Sequence, residues 1–204
     1  MALTLGYPYP LTEEFVIELS QANPLLQIET TAEGEIIIAP LTGSAASSGE
    51  ASLVQQVANW NDRCRLGRVL SSSGGVTLFD GAIKSPDATW ISHERWNAAS
   101  ELDRRRAFRR LAPDAVFELL SPSDELERLV TKMGVYLRNG ARVAVLLNPR
   151  NRRVRLYRPS REPEVSENPD DLPISEMPGF RLDARAIFAA TQDEAGAAAT
   201  EEAP

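Results

Sequence analysis

The sequence predicts an α/β or α+β fold in which a mixed β-sheet is flanked by helices. Amphipathic helical stretches alternate with short strand-like runs along the chain. The segment AVFELLS (115–121) alternates with period two, and ARVAVLLNP (141–149) is almost continuously apolar, as expected of a strand covered on both faces. A hydrophobic content of 43% over 204 residues gives enough chain for a proper core. One domain is expected over 1–190, followed by an acidic tail over 191–204 that is rich in Ala and Glu and expected to be disordered.

Each element has its own signal. Thr12 caps a first helix, EEFVIELSQAN, which carries Glu13 and Glu14 in its first turn and ends before Pro24. LQIETTAEGEIIIAP alternates on either side of AEG and reads as a β-hairpin. A second helix is expected from about Ser48 to Arg65, with Gly67 as its C′ residue and the stripe Leu53, Val54, Val57, Trp60, Cys64 facing the core. Glu50 precedes Leu53, Val54 and Val57 by three, four and seven residues, which puts an acid at the edge of that inward side. RVLSSS and GVTLF read as short strands around Gly74-Gly75, and Pro86 with Asp87 leads into the strand DATWIS.

A polar, arginine-rich connection, helical in part, then reaches AVFELLS, where Val116, Glu118 and Leu120 share one face and Ala115, Phe117, Leu119 and Ser121 the other. Ser123 or Asp124 is expected to cap the next helix, which buries Leu126, Leu129, Met133 and Leu137, with Arg128, Lys132 and Tyr136 along its flank, and ends at Asn139-Gly140. After the apolar strand the chain returns through RRVRLYRP, crosses a Pro- and acid-rich loop (EPEVSENPDDLPISEMPG) and closes with a helix at about Asp183 to Ala190.

Counting excludes several chemistries. Cys64 and His93 are the only residues of their types, so Cys/His zinc clusters, HExxH sites and HNH-type nuclease centres are absent, and no internal disulfide can form. His93 sits in a polar, turn-like setting and reads as solvent-facing or capping, and Ser121 and Ser123 as turn residues with no histidine placed to activate them. The start MALTLGYPYPLTEEF lacks the basic and apolar regions of a signal peptide, and no run is long enough to span a bilayer, so a cytoplasmic protein without a membrane partner is expected.

The net charge of −7 argues mildly against a nucleic-acid partner, although the tail alone holds four acids: Asp193, Glu194, Glu201 and Glu202. Arginines cluster at 104–110 and 150–158, where phosphate contact competes with the commoner reading of a solvated face. Of the 22 basic residues, only Lys84 and Lys132 are lysine. A lysine pKa can be moved by its surroundings, unlike that of a guanidinium, which singles these two out.

Four residues make a constellation: Asp87 at the start of a strand, Glu118 in mid-strand, Glu50 on a preceding helix and Lys132 on a following one. Two strand carboxylates converging at a sheet edge suit Mg²⁺ or Mn²⁺, and a nearby lysine can orient or deprotonate a water and stabilise charge on phosphorus. Each residue also has a structural alternative. Glu118 could pair with an arginine, Asp87 could cap a turn, Lys132 could lie along a helix flank, and Glu50 could serve the positive end of its helix.

The chain resembles the Uma-type restriction endonucleases of the PD-(D/E)xK nuclease superfamily. The resemblance runs from EEFVIELSQANPLLQIE and EIIIAP through SSGEASLVQQVANW and SPDATWIS to LYRP and MPGF. It is most specific in FELLSPSD followed by KMGVYLRNG. It implies a restriction-endonuclease-like core and DNA phosphodiester hydrolysis with Mg²⁺ or Mn²⁺. It also implies that Asp87, Glu118 and the main-chain carbonyl of Leu119 hold the metal, with Lys132 and Glu50 completing the catalytic set. Leu120 stands where the family's usual lysine would be, and Lys132 fits a migration of that lysine to the next helix. AVLLNP also lacks the tryptophan common in that strand. DNA is the expected partner, together with a homodimer or higher homo-oligomer, because cutting a duplex usually takes two sites. The alternative is a non-catalytic binding or assembly module descended from the same fold.

Overall fold

The computed structural model describes residues 2–7, 9, 11–40 and 42–192. The elements run β1 (Leu3–Gly6), α1 (Glu13–Ala22), β2 (Leu26–Thr30), β3 (Glu35–Pro40), α2 (Ser44–Cys64), β4 (Gly67–Ser71), β5 (Val76–Thr77), β6 (Ile83–Lys84), β7 (Ala88–Ser92), α3 (His93–Ala98) and α4 (Glu101–Arg105). There follow β8 (Arg109–Arg110), β9 (Ala115–Leu119), α5 (Leu126–Arg138), β10 (Val143–Asn148), β11 (Arg153–Tyr157), β12 (Glu164–Glu167), β13 (Leu172–Pro173), β14 (Arg181–Leu182) and α6 (Ala184–Ala190). The predicted mixed sheet flanked by helices is present. The tail from 193 onward lies outside the described residues.

The main sheet has the order β12-β11-β10-β9-β7-β4, with β9 and β10 parallel and the other pairs antiparallel. The period-two pattern of β9 divides its side chains as expected. Ala115, Phe117 and Leu119 join Trp90, Val145 and Leu147 under Leu53, Val57 and Trp60 of α2 and Ile187 and Phe188 of α6. Val116 and Leu120 join Ile91 and Leu146 against Leu129, Met133 and Tyr136 of α5. Every residue of β10 is buried, which accounts for its unbroken apolar run. A third, smaller core lies between α1 and the hairpin β2/β3, built on Val16, Ile28, Ile36 and Ile83. Thr12 caps α1 by accepting the Phe15 N–H, and Asp183 caps α6 by accepting the Ala186 N–H. No helix among the described residues is long and apolar enough to cross a membrane.

Several elements differ from expectation, each for a local reason. Helix α2 begins at Ser44, and its C-cap is Arg65 in the left-handed conformation (φ 53°) rather than a C′ glycine. Gly67 instead opens β4, because the Asn61 side chain accepts its N–H and donates to its carbonyl, both at 3.0 Å. A Cβ there would run into the Ile91 carbonyl and, at 2.5 Å, the Trp90 indole nitrogen. Gly67→Ala is therefore expected to destabilise by about 1–3 kcal/mol, seen as a lower urea midpoint at unchanged slope.

Asp124 does not cap α5. Its carboxylate accepts the Ser121 N–H at 2.9 Å, closing the Ser-Pro-Ser-Asp turn, and Glu125 takes the cap position without a side-chain bond. Tyr136 is fully buried rather than on the flank, while Leu126 and Leu137 are only partly buried. Gly140 ends that helix at φ 93°, as predicted. Six short strands, β1, β6, β8, β12, β13 and β14, were unforeseen: β1 pairs with β3, and β12 is an edge strand within the expected loop. The predicted strand GVTLF forms only β5, which belongs to a small sheet, β6-β5-β8, apart from β4.

Candidate active site

The register of the sheet places the two strand acids together. Ala88 of β7 pairs with Phe117 of β9, so Asp87, one residue earlier, stands opposite Glu118, one residue later. Asp87 Oδ2 accepts the Leu119 N–H at 2.6 Å. Glu118 Oε1 accepts from the Tyr136 hydroxyl at 2.7 Å and from the Lys132 ammonium at 2.8 Å. Among the described residues no protein donor reaches Asp87 Oδ1 or Glu118 Oε2, so each carboxylate has one oxygen anchored and one without a protein partner.

Asp87, Glu118, Lys132 and Glu50, with Leu119, line one cavity of about 420 Å³. Lys132 reaches it from α5, three residues after Leu129 and one turn before Tyr136, so a single helix face supplies both donors to Glu118. Glu50 borders it from α2, between buried Gly49 and Leu53. The predicted constellation is thus assembled in one place. His93 is exposed and remote from it, with Ser92 as the cap of α3.

The sequence reading missed Glu29 and left Lys84 without a role. Glu29 lies on the cavity face of the hairpin, beside Gln27 and Ile37, while its neighbours Ile28 and Thr30 are buried on the other side. Its carboxylate meets Lys132 at 2.8 Å, the Ser85 N–H at 2.9 Å and Lys84 at 3.4 Å. The two lysines of the chain therefore converge on one acid. Their rarity was the only signal in the sequence that could have led to it.

These acids carry different electrostatic burdens. Burial pushes Asp87 well above the usual carboxylate range, and the charges of Glu118 and Glu50 add to this, against the Leu119 N–H and Lys132. Glu118 is also raised, by burial first; its ion pair with Lys132 opposes this but does not overcome burial together with the charge of Glu29. Burial raises Glu50 too, helped by Asp124 and opposed by a hydrogen bond from Thr42. Glu29 goes the other way: burial disfavours its charge, but Lys132, Lys84 and the Ser85 N–H together hold it at about 2. Burial likewise works against the Lys132 ammonium, yet Glu118 and Glu29 outweigh it and raise its pKa. Lys84 is lowered, mainly by burial, with Glu29 opposing and Lys132 adding to the effect.

The arginine clusters are largely occupied by the protein itself. Arg106 pairs with Glu13 and Asp103, Arg105 with Glu101, Arg153 with Glu167, and Arg158 with Glu176 and Glu164. Arg150 donates to the carbonyls of Ser121, Pro122 and Asp124, each at 3.0 Å, and so holds the turn at the cavity rim. None of the arginines is the partner of Glu118.

Comparison with known proteins agrees with this architecture. A crystal structure titled as that of "a putative nuclease belonging to DUF820" from Anabaena variabilis ATCC 29413 is 24% identical, covers 90% of this chain and 100% of its own, and superposes with a TM-score of 0.72, which shows a shared fold. The DrdV–DNA complex solved by cryoEM is 12% identical over 76% of this chain and 12% of that one, and its TM-score of 0.35 carries no argument. No curated protein matches the chain. The Uma2 family, whose description is "Putative restriction endonuclease", matches residues 12–185, and the chain belongs to that family.

Proposed function

We propose that this chain is a divalent-cation-dependent hydrolase of DNA phosphodiester bonds. The observation that supports the reading best is the juxtaposition of Asp87 and Glu118 across β7 and β9. Both are burdened by burial, each has an oxygen without a protein donor, and a lysine ammonium stands 2.8 Å from Glu118. Among the described residues no group of three or more His, Cys, Asp or Glu side chains could hold a metal ion. The donor set nevertheless fits Mg²⁺ or Mn²⁺, because Mg²⁺ sites commonly use one or two carboxylates and take their remaining ligands from water and substrate phosphate. Asp87, Glu118 and the carbonyl of Leu119 would hold it.

The cation, when bound, would supply Lewis acidity toward the phosphoryl group and a lowered pKa for a water. Lys132 is held as an ammonium by two carboxylates, so its part is to donate hydrogen bonds to charge building on phosphate oxygens, not to accept a proton. Glu50, raised by burial, is the cavity acid suited to take the proton of the attacking water. Tyr136 fixes Glu118, and the Leu119 N–H fixes Asp87. A homodimer is part of the proposal, since two copies bring two sites to a duplex.

Incubation of supercoiled plasmid with the protein and Mg²⁺ or Mn²⁺ tests the reading. Nicked or linear product that disappears with a chelator is expected. Intact plasmid under both cations, with DNA retained in a binding assay, would favour the non-catalytic module instead.

A further inference from the structure

Glu29 has no role in the chemistry above, yet it is the most fully anchored acid at the cavity. Its Oε1 accepts from Lys132 at 2.8 Å and from the Ser85 N–H at 2.9 Å, and its Oε2 lies 3.4 Å from the Lys84 ammonium. The strand that carries it is equally fixed. Ile28 is buried in the core beneath α1, and Thr30, 2% exposed, accepts the Ile83 N–H at 2.9 Å, which ties the hairpin to the strand bearing Lys84.

We propose that Glu29 is a positioning residue of this site, the second anchor that fixes the Lys132 ammonium at the cavity independently of Glu118. The inference rests on the hydrolase reading. An ammonium on a flexible four-carbon stem has three donors and would follow Glu118 if that were its sole partner. Glu118, however, is the acid whose charge the cation would share. With Glu29 as a fixed partner on a paired strand, Lys132 would keep its place when the charge of Glu118 is shared with a cation. Lys84, 4% exposed and absent from the cavity wall, holds the far oxygen of Glu29.

A purely structural role, in which Glu29 only neutralises two buried lysines, makes a different prediction. Glu29→Asp keeps the charge and withdraws it by one methylene, so neutralisation survives while the reach to Lys132 is lost. With two lysines in the chain, lysine-selective ¹⁵N labelling gives two ammonium signals, readable without cation or DNA, and Lys84→Met assigns them. The Lys132 signal of the wild type is expected to be protected from exchange, and Glu29→Asp is expected to remove that protection while the protein stays folded. In the plasmid assay the same variant should lose about 10- to 100-fold in kcat with KM for DNA little changed, the pattern of a misplaced catalytic group. An unaltered Lys132 signal, or wild-type kcat in the folded variant, would overturn the proposal. If Glu29→Asp does not fold, Glu29→Gln keeps the reach and an acceptor oxygen while losing the charge, so it is expected to retain protection of the Lys132 signal, and loss of that protection in the folded variant would overturn the proposal. A wild type that cleaves nothing would sink the hydrolase reading, while the ammonium signals would still decide whether Glu29 holds Lys132.

Discussion

Asp87→Asn is expected to lower cation-dependent DNA cleavage by about 10²- to 10³-fold or more, the scale seen when one preorganised electrostatic element of an active site is removed. The same substitution should stabilise the cation-free protein, by about 1–3 kcal/mol on the scale of an under-satisfied buried polar group. Asparagine keeps an oxygen for the Leu119 N–H but ends the repulsion among Asp87, Glu118 and Glu50. The pH dependence has a definite sign. The folded-state pKa of Asp87 is raised above its ordinary 3.8, so its ionisation costs stability at neutral pH and that cost is relieved as pH falls. Wild type and variant should therefore converge in urea unfolding near and below that ordinary value. A variant that is less stable at neutral pH and still cleaves would show Asp87 to be a structural cap.

Lys132→Met carries the largest expected loss of stability, about 3–5 kcal/mol, because it leaves two buried carboxylates without their shared counter-ion. Lys132 is 2.8 Å from both Glu118 and Glu29, and these side chains are 16%, 5% and 12% exposed. The ordinary lysine pKa of 10.5 is raised in the folded state, so the stability contributed by its ammonium is fully present below 10.5 and is lost only as pH rises through the raised value. The deficit of the variant should accordingly be complete at pH 7 and shrink on acidification as the stranded Glu118 carboxylate takes up a proton. Glu118→Gln added to Lys132→Met should recover part of the loss, giving a favourable coupling in a double-mutant cycle, because Lys132 is the one ion-pair partner of Glu118 while Glu29 keeps Lys84. Urea unfolding that places Lys132→Met within about 1 kcal/mol of wild type would mean that these ion pairs are solvent-screened and of little consequence.

Much of this site was legible because its local signals are strong. Glu118 stands out as the charge within an apolar strand, and the period-two reading of β9 set its face correctly. Asp87 follows a proline at the start of β7, and Gly140 marks the end of α5 with a positive φ. Glu29 was not legible, because an alternating hairpin reads the same whether its polar face meets solvent or a cavity, and only the packing of β2 beside β6 and α5 decides between them. The full burial of Tyr136 was not legible for a related reason: its hydroxyl can be buried only because Glu118, on another element, accepts from it. Edge strand β12 eluded the reading because EVSE has little intrinsic strand character. Its place comes from the antiparallel ladder with β11, in which Arg153 faces and pairs with Glu167. At Gly67 the glycine was noticed but its purpose was not, since the close approach of Ile91 and Trp90 belongs to the fold and not to the local sequence.

The measurement that bears most directly on the central claim is an anomalous-difference map from crystals of the wild-type protein soaked in Mn²⁺. The account predicts a peak between the carboxylates of Asp87 and Glu118, lost in crystals of Asp87→Asn, with Lys132 still in contact with Glu29. A map with no peak at those two acids, or with the ion bound elsewhere, would contradict it.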